Sequence, residues 1–304
     1  MEVSTLDKSF RWPAPAKINL FLHITGRRPD GYHALQTVFQ FLDFCDYIDF
    51  ERREDGVIAR VTELPGVPAE QDLVIRAARA LQAHTGTTLG ATLAIDKRMP
   101  VGGGIGGGSS DGATTLVALN HLWGLNLEPT ELAQIGLKLG ADLPIFLFGR
   151  AAFAEGLGEI LTPVEPFESW YVLIKPDCSV PTAAVFQDPD LTRNTPPIKI
   201  PDFFAGAGHN DCEPVVRRRF PGVAAALDWL NARAPARLTG TGSCMFAPCG
   251  CEAEARALCS EVREPWQGFA VRGLNRSPLL DRLERARRGA EMTAQIALNE
   301  AAAR

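Results

Sequence analysis

The sequence predicts an α+β fold in two halves. Three observations carry this: period-two segments follow one another near the N-terminus, a strand meets a helix through a glycine-rich loop in the first half, and helix, helix, strand, turn, strand, helix, strand succeed one another after Asp211.

Ile18, Leu20, Leu22 and Ile24 share one face of a period-two stretch, and Lys17, Asn19, Phe21 and His23 the other, so Lys17 and Asn19 point the same way. Arg28-Pro29-Asp30-Gly31 has turn chemistry, and Leu35 to Leu42, Tyr47 to Glu51 and Val57 to Val61 read as further strands of a β-meander. Asp72 to Ala83 carries a helical stripe of Leu73, Val74, Ala77, Ala80 and Leu81, with Asp72 placed as its N-cap. Ala91 to Asp96 alternates like a strand, and Asp111 to Trp123 has Ala113, Leu116, Val117 and Asn120 at helical spacing. Pro129 suits the first position of a helix that stops at Gly140. The following Ala141-Asp142-Leu143-Pro144 is expected to be extended because of its proline, which puts Asp142 at a bend.

Ala151 to Glu155 and Tyr171 to Ile174 read as strands, and Asp188 to Pro201 has turn composition throughout, the mark of a surface excursion. The last segments are a strand at Arg237 to Thr239, a turn at Gly240 to Ser243, a strand, a helix at Glu252 to Val262 and a strand at Gly268 to Arg272. The halves divide near Gly156 to Val164, giving expected domains of 1–160 and 161–280 with an Ala/Glu/Arg-rich extension over 281–304 that is either helical or frayed.

Of 304 residues, 46% are hydrophobic and 22% charged, as in ordinary globular chains. A net charge of −5 argues against general nucleic-acid binding, so an anionic ligand must be held by a local site. No apolar run is long enough to span a membrane and MEVSTLDKSFRW lacks a signal core; a cytoplasmic location is expected. Seven cysteines are an odd number for a disulfide framework and Cys45, Cys178 and Cys212 stand alone, so they read as reduced thiols; Cys244, Cys249, Cys251 and Cys259 lack zinc-site spacing and read as structural thiols.

The densest chemical signal is Pro100 to Ser110, PVGGGIGGGSS, with six glycines between Gly102 and Gly108. Such a run exposes backbone N–H groups, and the helix that follows presents unpaired amides and the positive end of its dipole, which favours a polyphosphate. A dinucleotide fingerprint is disfavoured because no acid-ended strand follows at the proper distance, and Ser109-Ser110-Asp111 replaces the lysine and hydroxyl residue of a Walker loop.

Three segments in order, Pro15 to Leu20 (PAKINL), Pro100 to Asp111 and Leu238 to Cys244 (LTGTGSC), resemble the GHMP kinase superfamily of small-molecule kinases. Continuous matches over Ala16 to Asp46, Ile95 to Asp111 and Gly140 to Pro163 resemble its branch acting on a cytidine diphosphate sugar alcohol, and the likeness spans about residues 10–280. The resemblance implies a ribosomal-S5-like N-terminal domain, a ferredoxin-like C-terminal domain and a site between them. It further implies transfer of the γ-phosphate of ATP to the 2-hydroxyl of cytidine diphosphate methylerythritol in non-mevalonate isoprenoid precursor synthesis. Mg²⁺ is expected because the β,γ charge of ATP must be neutralised, but the sequence names no ligand for it. The alternatives are another kinase of the superfamily, on mevalonate-type or homoserine substrates, and a non-catalytic nucleotide-binding module.

By the same resemblance, ATP is held by Pro100, Val101, Gly102, Gly103, Gly104, Ile105, Gly106, Gly107, Gly108, Ser109 and Ser110, with Lys97 and Asp72; Asp72 stands where relatives carry an Asn expected to meet adenine. Asp142 becomes the general base, against a plain N-cap. Lys17 becomes catalytic, against a solvated edge lysine; a cation there would lower the hydroxyl's pKa and offset charge on the transferring phosphoryl group. Asn19 and Thr182 fall in the substrate set. Tyr32 and His33 hold cytosine, with Phe186 stacked on the other side of the base and neutral His33 both donating to and accepting from its edge. Read without the family, Tyr32 and His33 suit a binding loop and plain loop aromatics equally, and Phe186 also suits an ordinary core position. Gly240 and Gly242 flank either a plain hairpin or a close approach to bound phosphates or the first loop.

Overall fold

The computed structural model describes residues 11–302. Residues 1–10 of the stretch read for a signal core, and residues 303 and 304 of the extension, lie outside the described residues. Two long strands, β1 (Trp12–Arg27) and β2 (His33–Arg53), form an antiparallel ribbon closed by the turn at Pro29 to Gly31. Where the sequence suggests separate strands at Leu35–Leu42 and Tyr47–Glu51, β2 runs unbroken for 21 residues. Its backbone groups find successive partners, in β1 along its length, β5 (Ala152–Glu155) at Thr37–Phe39, β10 (Gln267–Leu274) at Phe41–Leu42 and β4 (Gly90–Asp96) at Tyr47–Arg53, so no turn is needed to satisfy them. The expected meander ends there: β3 (Ile58–Arg60) pairs parallel with β4 instead of with β2.

The sheet order β3-β4-β2-β10-β7-β9-β8 joins both halves, with β7 (Trp170–Lys175), β8 (Arg237–Leu238) and β9 (Met245–Cys249) in the second. The expected boundary at residue 160 falls inside the hairpin of β5 with β6 (Ile160–Pro163), and the chain crosses over after Pro163.

Helices α1 (Leu73–Thr85), α2 (Gly107–Leu122), α3 (Pro129–Leu139) and α4 (Leu143–Phe148) cover the first half and bury Val74, Leu81, Leu116 and Phe146 against Phe41 and Leu93. Asp72 caps α1 as expected, accepting from Val74 N at 3.0 Å, a contact that contributes about 1 kcal/mol. Helix α2 begins at Gly107 rather than Asp111, with Gly106 at the N-cap accepting from Ser110 N at 2.8 Å to close the first turn. In the second half, α5 (Thr182–Phe186) and α6 (Ile200–Phe204) precede α7 (Glu213–Arg219), α8 (Pro221–Asn231) and α9 (Glu252–Glu261). A second core forms from Val216, Leu227, Ile174 and Met245. A third cluster, including Ile18, Ile105, Leu173 and Phe246, sits where the halves meet. Helix α10 (Pro278–Ala302) closes the described chain, and among the described residues no helix is long and apolar enough to cross a membrane.

Candidate active site

The register of β1 against β2 slips between Pro15 and Lys17 and again between Asn19 and Leu22, which bends the ribbon and turns Lys17 and Asn19 into the molecule. Lys17 Nζ donates to Asn19 Oδ1 at 2.8 Å and to Gly104 O at 3.2 Å, and lies 3.5 Å from Asp142 Oδ2. Its side chain is 4% exposed, so it is no solvated edge lysine. Asn19 Nδ2 in turn donates to Thr37 Oγ1 at 3.0 Å.

Asp142 departs from the extended conformation expected of its segment. Its backbone is right-handed helical (φ −86°, ψ −11°) and α4 starts at Leu143, because Pro144 sits in the first turn, where a missing N–H is tolerated. Asp142 holds the N-cap position, but its carboxylate caps nothing and is 41% exposed toward a cavity of about 690 Å³. A side chain freed from capping in a concave, ligand-sized space is available for chemistry.

The glycine loop is fixed through its carbonyls. Gly103 O accepts from Cys244 N at 2.9 Å, Ile105 O from Lys17 N at 3.0 Å and Gly106 O from Ser110 N at 2.8 Å. Ile105, the one side chain within the glycine run, is 1% exposed in the cluster between the halves. Among the described residues the N–H groups from Gly104 to Ser109 have no acceptor, so an anion finds them unpaired. Gly104 (φ +74°) is required twice over: its conformation is left-handed, and a Cβ there would stand 2.7 Å from Gly242 O and 2.8 Å from Thr239 O. Gly240 and Gly242 therefore lie in a hairpin that also abuts the first loop, and both sequence readings hold together.

On the opposite wall, the rings of His33 and Phe186 stack on each other at 5.3 Å and 26°. The pair is too close to admit a third ring between them; Tyr32, 63% exposed, lines the same cavity. Arg193 Nε donates to His33 Nε2 at 3.1 Å, which fixes the neutral tautomer with its proton on Nδ1. Burial, then the charges of Arg193 and Arg27, hold the imidazole pKa below its ordinary value. With Nε2 engaged, His33 offers only a donor, so the expectation that it both donates and accepts is corrected. Arg193 also donates to Phe186 O at 2.9 Å and Asp188 O at 2.6 Å. Its segment is no mere surface excursion: Asp188, Leu191 and Thr195 are buried. Sequence reading missed Arg193, whose only signal is an arginine within a proline-rich stretch.

Beneath the loop, Lys97 bridges Asp46 and Asp111, at 2.6 Å from Asp111 Oδ2, and Asp46 Oδ1 accepts from Arg98 N and Met99 N at 2.6 and 2.7 Å. Asp111 Oδ1 is buried without a partner; burial pushes this carboxyl up to about 7, Lys97 opposing and Asp46 reinforcing the rise. Asp46 and Asp111 were also missed, although a carboxylate inside an apolar strand and another directly after Ser110 are visible in the sequence.

Of the expected site residues, Lys17, Asn19, Tyr32, His33, Gly104, Ser109, Asp142, Thr182, Phe186 and Gly240 line this one cavity. Thr182 Oγ1 meets Thr241 Oγ1 at 3.1 Å in its lining. Gly102, Gly103, Ile105, Gly106, Gly107, Gly108, Ser110 and Gly242 form the scaffold behind. Pro100 and Val101 border a smaller cavity of about 220 Å³ beside Lys175 and Gln267. Lys97 and Asp72 do not reach the large cavity. Both carboxylate oxygens of Asp72 are taken, by Val74 N and by the Arg60 guanidinium.

The family described as GHMP kinases N terminal domain matches residues 72–150, and GHMP kinases C terminal matches residues 202–268. A relative from Cupriavidus necator, named 4-diphosphocytidyl-2-C-methyl-D-erythritol kinase, is 59% identical over 88% of this chain and 94% of its own length. This chain belongs to the 4-diphosphocytidyl-2-C-methyl-D-erythritol kinase family of GHMP kinases. Another relative in this kinase family, from Nitrosococcus oceani, is 55% identical over 90% of this chain and 98% of its own. The crystal structure of a 4-(cytidine 5'-diphospho)-2C-methyl-D-erythritol kinase superposes with a TM-score of 0.76 at 30% identity, over 86% of this chain and 98% of that one. The GHMP kinase fold, with its N- and C-terminal domains, is thus the α+β architecture observed.

Proposed function

We propose that the protein transfers the γ-phosphate of ATP to the 2-hydroxyl of 4-diphosphocytidyl-2-C-methyl-D-erythritol, yielding ADP and the 2-phosphate. One observation carries this reading: the free amides of Gly104 to Ser109, the Lys17–Asp142 pair and the His33–Phe186 stack meet in one cavity. The amides hold the phosphates of ATP, and Gly104 O and Asn19 position Lys17. Asp142 accepts the hydroxyl proton as the oxygen attacks the γ-phosphorus and the β,γ oxygen leaves with ADP. Lys17 offsets the charge gathering on the phosphoryl group. Cytosine is received at the cavity wall formed by Tyr32, His33 and Phe186.

No cluster of three or more His, Cys, Asp or Glu among the described residues forms a metal cage. Mg²⁺ carried on ATP would, when bound, neutralise its β,γ charge. ATP dependence and seven unpaired cysteines support a cytoplasmic location. Release of ADP with the cytidylyl alcohol, mevalonate and homoserine as rival acceptors tests the reading. Turnover is expected with the first alone, and equal turnover with another would replace it.

A further inference from the structure

Three cations line the large cavity, and two are committed. Lys17 is held by Asn19, Gly104 and Asp142, and Arg193 spends its donors on His33 and on the carbonyls of Phe186, Asp188 and Leu191. Arg27 differs. It ends β1 directly across from His33 in the β1–β2 register, so the two side chains stand on the same face. Its guanidinium is exposed, and among the described residues it has no hydrogen-bond or ion-pair partner, whereas the adjacent Arg28 is tied to Asp30 at 3.0 Å. A free guanidinium facing a ligand cavity is a fork of unused donors suited to a phosphate.

We infer that Arg27 binds the diphosphate of the cytidylyl substrate and sets the preference for a cytidine diphosphate ester over uncharged cytidine. This rests on the function proposed above. Cytosine on the His33–Phe186 stack and the acceptor hydroxyl at Asp142 place the intervening diphosphate along the wall between them. Arg27 borders that wall at its cytosine end.

The test is calorimetric titration of CDP and of cytidine into the wild type, Arg27→Gln and Arg27→Lys, with thermal melting to verify folding. The wild type is expected to bind CDP more tightly than cytidine. Arg27→Gln should lose about tenfold in CDP affinity while keeping its cytidine affinity, and Arg27→Lys should recover part of the loss, since lysine keeps the charge without the fork. The KM for the cytidylyl alcohol should rise with the CDP loss, and the KM for ATP should hold. Unchanged CDP affinity in Arg27→Gln, or an equal loss for cytidine, overturns the inference and leaves the proposed function standing. A wild type that binds neither CDP nor cytidine overturns both.

Discussion

Lys17 Nζ lies 3.5 Å from Asp142 Oδ2, joining a buried ammonium on the first strand to a half-exposed carboxylate at the start of a short helix. The asymmetry is functional in form. The cation is immobilised by Asn19 and Gly104, while the carboxylate keeps a face toward the cavity.

Asp142→Asn should fold, bind an ATP analogue normally and lose about 10²–10⁴ in kcat, because an amide accepts no proton from the attacking hydroxyl. Steady-state ADP release and nucleotide titration check this. Near-normal kcat would remove Asp142 from the base role.

Gly104→Ala forces a Cβ onto the carbonyls of Gly242 and Thr239 and a non-glycine residue into φ +74°. Stabilisation by an ATP analogue in a thermal melt should largely vanish. Gly66→Ala, equally left-handed but with nothing within 4 Å, serves as the control for backbone strain alone.

Phe186→Ala removes one ring of the stack with His33. Cytidine affinity should fall by a factor corresponding to about 1–3 kcal/mol, read by calorimetry. An unchanged value would return Phe186 to a packing role.

Arg193→Lys cannot span His33 Nε2 and the carbonyls of Phe186 and Asp188 together. The imidazole then loses its fixed tautomer, so the KM for the cytidylyl alcohol should rise more than the KM for ATP. Parallel rises would point to general loosening instead.

Asp111 carries a pH signature. Its folded-state value of about 7 lies above the ordinary carboxylate range near about 4, so between these the folded chain holds the extra proton. The stabilising contribution is full below about pH 4 and is lost as pH rises through about 7. The urea midpoint should decline from about pH 5 to about pH 8 in the wild type and flatten in Asp111→Asn; equal slopes would refute the assignment.

Short-range chemistry was legible. The glycine run between strand and helix, the Asp72 cap, Pro129 at a helix start and the shared face of Lys17 and Asn19 each follow from spacing or from one residue's backbone preference. Pro144 shows the limit: the rule for a residue before proline is statistical, and burial of Leu143, Ile145 and Phe146 against the first core overrode it. The unbroken β2 was hidden for a related reason, since the partners that carry it between Leu42 and Tyr47 come from distant segments, Asp46 Oδ1 accepting from Arg98 N and Met99 N.

By itself, the sequence determined most of the local elements and that a glycine-rich bed of amides lies between β4 and the first turn of α2. Only the tertiary structure decided that these amides stay unpaired, that Lys17 is buried against Asp142, and that a proline-rich strand of chain brings Arg193 onto His33. The physical reason is range. Periodicity and turn chemistry act over a few residues, whereas burial and hydrogen-bond satisfaction between distant segments depend on how the whole chain packs.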